Sequence, residues 1–153
     1  MAGMLLGRIF RAVASGDHDG LVALLAEPAA SSVDLNMRCP EGRTVLHMAA
    51  SMGRPAMVAL LAGAGADVDA PSGGGEPPRA ETPLLLAAQR SPAAALELLR
   101  LGARADLRDV EGYSPVTRTE EALAGATGEE RRLREQLAAA LRVRLSGRTS
   151  PTQ

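Results

Sequence analysis

Few side chains in this 153-residue chain could do chemistry, and they do not assemble into a reaction centre. The histidines are His18 and His47, and Cys39 is the lone thiol. A Cys39–His47 nucleophile–base pair can be drawn, but the sequence supplies no third residue to orient the imidazole and no oxyanion pocket. Two imidazoles and one thiol are too few for most protein metal sites. Gly73-Gly74-Gly75 would suit a phosphate cradle, yet no lysine exists to complete it and no strand–glycine–helix context surrounds it. It reads as a slack loop. Glu120-Glu121 and Glu129-Glu130 read as solvated faces. Ser114-Pro115 and Ser150-Pro151 have proline-directed phosphorylation spacing; Ser114 has a better use as a helix cap, whereas Ser150 lies in an accessible tail. No catalytic residue, cofactor site or metal site is expected.

The elements that must position any functional residue are written in small aliphatics. The chain has 29 Ala and 22 Leu, no Trp, and Tyr113 and Phe10 as its aromatics. All 17 basic residues are Arg, so lysine acetylation or ubiquitination on side chains is impossible. A formal net charge of −1 lacks the basic excess of a nucleic-acid binder. One cysteine asks for no oxidising compartment, and no apolar run reaches membrane-spanning length. Met4 to Phe10 is apolar, but Arg8 and Arg11 interrupt it before signal-peptide length, so it reads as the opening helix of the fold.

Self-similarity near a period of roughly 33 residues sets the organisation. One unit reads Gly42-Arg43-Thr44-Val45-Leu46-His47-Met48-Ala49-Ala50-Ser51-Met52-Gly53, then Met57-Val58-Ala59-Leu60-Leu61, then Ala64-Gly65-Ala66-Asp67-Val68-Asp69. The next reads Thr82-Pro83-Leu84-Leu85-Leu86-Ala87-Ala88, then Leu96-Glu97-Leu98-Leu99, then Leu101-Gly102-Ala103. A further start lies at Asp109 to Val116, and Ile9 to Asp17 followed by Leu21, Leu24 and Leu25 has the same rhythm. Physically, Thr44, Thr82 and Ser114 can cap helix N-termini, with Pro83 and Pro115 at the first helical position. The paired alanines allow close helix approach, and Gly65 and Gly102 can end second helices. No unit can bury its face alone, so the units must stack.

These segments resemble the ankyrin repeat, over residues 4 to about 124. The resemblance implies an all-α solenoid of helix-turn-helix units with β-hairpin loops, in approximate units 4–36, 37–70, 71–108 and 109–124. It also implies that His47 hydrogen-bonds backbone near the adjoining hairpin. Departures are informative. Leu85 replaces that histidine in the third unit, Ser91-Pro92 replaces its inter-helix glycine, and Cys39 stands where the pattern carries Asp. The segment Pro71 to Arg79 makes an extended turn longer than the pattern, and another insertion lies around Ala29 to Ser32. The fourth unit loses the alanine pair at Arg118-Thr119-Glu120 and reads as a cap.

After Gly125, Thr127 and Glu130 have capping-box spacing. Leu133, Leu137, Leu141 and Leu145 then predict an amphipathic capping helix over 127–145, followed by a disordered tail, 146–153. Arg131, Arg132, Arg134, Arg142 and Arg144 surround the leucines, which leaves open a membrane-surface or partner-binding role for this helix.

The function implied by the resemblance is non-enzymatic protein binding, as a small adaptor or inhibitor using hairpin tips and first helices. A narrower version is inhibition of a cyclin-dependent kinase or of an NF-kappa-B type transcription factor; a version from another class is a regulatory fragment of a larger enzyme. By repeat register the partner-binding residues are Pro40, Glu41 and Arg43 on one tip, and Val110, Glu111 and Tyr113 on the last. Arg79 lies in the long turn, and Ser51, Met52, Gln89 and Arg90 follow the alanine pairs. A monomer in the cytoplasm, the nucleus or both is expected, with another protein as partner.

Overall fold

The computed structural model describes residues 2–73 and 79–148, the Arg148 side chain excepted. Among the described residues eight α-helices run in chain order: α1 (Ala2–Ser15), α2 (His18–Ala26), α3 (Val45–Ser51), α4 (Pro55–Gly63), α5 (Pro83–Arg90), α6 (Pro92–Arg100), α7 (Pro115–Leu123) and α8 (Gly128–Arg148). They pair α1 with α2, α3 with α4, α5 with α6 and α7 with α8. The odd-numbered helices form one layer, each packed on the next, and the even-numbered helices form a second layer in the same way. This is an all-α stack of four helix pairs.

Local chemistry starts and stops these helices as the spacing predicts. Thr44, Thr82 and Ser114 each accept a hydrogen bond from the backbone N–H three residues on, at His47, Leu85 and Thr117. At the other end, Gly65 and Gly102 adopt φ values of +105° and +94°. Each makes a paired closure: Gly65 and Ala66 donate to Ala62 and Leu61, and Gly102 and Ala103 donate to Leu99 and Leu98. Left-handed backbone of this kind suits glycine because a side chain there is strained.

Small residues then let the layers close. Ala49, Ala50, Ala87, Ala88, Ala94 and Ala95 have no exposed surface, and Leu46, Leu61, Leu84 and Leu98 fill the space between units. Each such leucine contributes about 1.5–3 kcal/mol by leaving water. In α1, Leu5, Leu6, Ile9, Ala12 and Val13 face the same core, which accounts for the apolar N-terminal segment. The insertion after α2 is a 3-10 helix, Pro28–Ser32, packed on α1 and α2.

Two polar ladders join the units. Asn36 Oδ1 accepts from the Asp67 N–H at 2.7 Å, and Asp69 Oδ1 accepts from the Arg104 N–H at 2.8 Å, at equivalent positions one unit apart. The loops before α3, α5 and α7 form three fingers. Each closes on itself, by Cys39 N–H to Arg43 O, Ser72 N–H to Glu81 O, and Asp109 N–H to Tyr113 O; Gly42 N–H to Cys39 O and Gly112 N–H to Asp109 O tighten the first and third. Each is tied to the next: Gly73 N–H donates to Gly42 O, and Val110 N–H to Arg79 O. These pairings are too short to make strands, so among the described residues the β-hairpin loops expected from the resemblance are turns without a strand.

The third unit closes differently from the second. Its α5 ends at Ser91, whose N–H donates to Ala87 O and whose hydroxyl caps α6 through the Ala94 N–H. One residue thus ends one helix and starts the next. Pro92 has no N–H, so the carbonyl of Ala88 has no donor in its own loop. The Arg134 side chain of α8 supplies one at 2.9 Å, and also reaches Gln89 O at 3.1 Å.

α8 is longer than expected. It continues through Ser146–Arg148, which were expected to belong to the disordered tail; Leu145 still packs against the core there. The Thr127–Glu130 capping box does not form. Gly128 enters with φ +58°, and Glu130 is committed to Arg134 at 2.9 Å. The remaining tail with Ser150, and Gly74 to Pro78 of the long turn with two glycines of the triplet, lie outside the described residues.

Candidate partner-binding surface

His47 shows how the fingers are fixed. The Thr44 N–H donates to Nδ1 at 3.2 Å, which makes Nδ1 the acceptor and leaves Nε2–H to donate to Glu81 O at 2.8 Å. The ring is buried, and desolvation pushes its pKa down to about 4 although the Glu81 carbonyl opposes that shift. Both nitrogens are engaged, so His47 has none left for a Cys39 thiol. The thiol instead hydrogen-bonds the Glu41 carboxylate, which with the Glu41 backbone amide holds that carboxyl below its ordinary range. His18 is exposed at the start of α2, 3.6 Å from Asp19. No group of three or more potential metal ligands is found among the described residues.

Conserved spacing between fingers and helices is what a repeat model measures, and the model for ankyrin repeats (3 copies) matches residues 9–109. The chain belongs to the ankyrin-repeat family. No curated protein matches it at a significant level. Ankyrin repeats are in general protein–protein interaction modules.

In this ankyrin array the residues expected at the partner surface fall into separate groups. Pro40 and Glu41 are exposed on the first finger, with Arg43 half-buried behind them. Met52 is exposed at the end of α3, whereas the Ser51 hydroxyl turns back to Met48 O. Arg90 is exposed at the end of α5. Four of the expected residues, Arg79, Gln89, Val110 and Glu111, come together around one cleft of about 130 Å³ between the second and third fingers. Tyr113 stands next to it, half-buried, with the Arg118 guanidinium 4.0 Å from its ring centroid.

Three residues of this cleft were not singled out in the sequence: Glu81, Asp109 and Arg118. Asp109 Oδ1 accepts the N–H groups of Glu111 and Tyr113 and so shapes the third finger, while Oδ2 pairs with Arg118 at 2.8 Å. That pair is nearly closed to water, with side-chain exposures of 15% for Arg118 and 3% for Asp109. Glu81 was legible by register. It precedes the capping Thr82 as Arg43 precedes Thr44 and Tyr113 precedes Ser114.

The C-terminal helix spends its amphipathic character inside the protein. Leu137 and Leu141 are fully buried. Arg131 pairs with Glu135, Arg132 with Glu129 and Arg142 with Glu120, while Arg134 and Arg144 donate to carbonyls of the third unit. Among the described residues its leucines thus face the stack, and these five arginines each have a partner within the protein. No helix among the described residues is long and apolar enough to cross a membrane.

Proposed function

We propose that this ankyrin array is a non-enzymatic protein-binding module, a small adaptor or inhibitor that occupies a partner's surface through its fingers and the ends of its first-layer helices. The observation that carries the reading is the inter-finger bonding, Gly42 to Gly73 and Arg79 to Val110, which makes three chemically different loops into one pre-set surface. A surface already ordered loses little conformational freedom on docking. Contact residues on this reading are Pro40, Glu41, Arg43, Ser51, Met52, Arg79, Gln89, Arg90, Val110, Glu111 and Tyr113, with a single copy engaging its partner. The proposed place of action is the cytoplasm, the nucleus or both, in keeping with a lone thiol hydrogen-bonded to Glu41.

Affinity purification from cells tests it. Replacing Arg90 and Tyr113 together by alanine is expected to weaken capture of the principal partner by about tenfold or more, as loss of arginine and aromatic hot spots does, with helicity by circular dichroism unchanged. Equal recovery by both proteins would remove these residues from the surface.

A further inference from the structure

We infer that the cleft between the second and third fingers is a socket for a cationic side chain, arginine or lysine, of a bound polypeptide, with Glu81 as its anchor. This rests on the protein-binding reading and names the chemistry that surface selects. Glu81 is 6% exposed and lines the cleft. Among the described residues its carboxylate makes no hydrogen bond and no ion pair within 4.0 Å. The rest of the residue is enclosed, so a cation seated in the cleft would meet a carboxylate that no donor of the protein yet occupies.

The nearby cation, Arg118, attracts the Glu81 carboxylate only through space and is held elsewhere. Arg118 is held by Asp109 at 2.8 Å and stacked on Tyr113, and it reaches Glu121 at 4.0 Å. Asp109 in turn has both oxygens occupied. That leaves two carboxylates, Glu81 and Glu111, against the exposed Arg79. A ligand anion would meet the Glu81 and Glu111 carboxylates, and an apolar group would strip water from Glu81. A guanidinium or ammonium supplies the missing donors and charge.

The socket is also rigid and of head-group size. Glu81 is clamped through its backbone: its N–H donates to Ser72 Oγ at 3.0 Å, and its carbonyl accepts from Ser72 N–H and from His47 Nε2. Ala80 beside it is held at φ +52°, the one positive φ at a non-glycine among the described residues. Such backbone persists only where the surroundings enforce it. About 130 Å³ is room for roughly four waters, well below the pockets that hold whole cofactors.

The test is an NMR titration of the isotope-labelled full chain with N-acetyl-arginine methylamide and N-acetyl-lysine methylamide, with N-acetyl-glutamate methylamide as control. Saturable amide shifts at Glu81, Gln89, Val110 and Glu111 are expected with one or both cationic probes and none with the anionic one; which cation binds tighter tells guanidinium from ammonium. Glu81→Gln should weaken binding about tenfold or more, Glu111→Gln by roughly two- to threefold, and Glu81→Asp should retain part of it. No shifts up to about 100 mM, equal shifts in Glu81→Gln, or a response to the glutamate probe would overturn the socket. Partner capture without any probe response overturns the socket alone. Probe binding without any captured partner overturns the protein-binding reading alone.

Discussion

The joint between the second and third units and the joint between the third and fourth solve the same problem with different chemistry. In the first, a neutral imidazole spans the units: His47 is pinned by Thr44 and donates to Glu81 O. In the second, the corresponding position is Leu85, which has no donor to offer. There the work passes to arginines. Arg118 closes the third finger through Asp109, and Arg134 reaches back from α8 to the end of α5. Where the repeat loses its framework histidine, different contacts, made by side chains that the repeat pattern does not describe, hold the units together. A uniform joint is legible in any one unit, whereas a compensated joint is legible only in three dimensions.

The largest expected effect falls on the compensated joint. Arg134 is 3% exposed, and Arg134→Met leaves the Ala88 and Gln89 carbonyls without their side-chain donor. An unsatisfied buried carbonyl costs roughly 1–3 kcal/mol, so a loss of about 3–4 kcal/mol is expected in urea unfolding. Arg134→Lys should recover less than half, because a single ammonium cannot reproduce the fork. A loss under about 1 kcal/mol would mean that water serves these carbonyls equally well.

The neutral joint should instead be sensitive to acid. His47 titrates near 4 folded and near 6.5 unfolded, so between those values the unfolded chain binds more protons. Stability is therefore present above about pH 6.5 and lost as pH falls toward 4, by roughly 3 kcal/mol for full protonation. His47→Leu copies the third unit's residue and should lack this component, though it starts less stable by about 1–2 kcal/mol for the missing bond. Parallel stability–pH curves for the two proteins between pH 4 and 6.5 would sink the assignment.

Much of the frame could be read directly from residue types. Capping threonines, alanine pairs and terminal glycines each act locally, within one turn of the residue concerned, and all three appear where their spacing put them. The misses share a physical origin. Arg134 lies 46 residues from Ala88, so its capping role is invisible to periodicity, and its helix reads simply as amphipathic. The fingers carry too few cross-bonds for a strand ladder among the described residues, because each turns back within a few residues. At the surface, Glu81 went unnoticed because the long turn before it separates it from the glycine that marks the other fingers, although its place before Thr82 was there to be counted.

Recognition of protein by the bonded fingers can be followed by hydrogen exchange on the full chain with and without its captured partner. Slowed exchange is expected in residues 39–43, 79–81 and 109–113 and at the ends of α3 and α5, with α2, α4 and α6 unchanged. Protection confined to α2, α4 and α6, with the fingers exchanging as in the free protein, would contradict it.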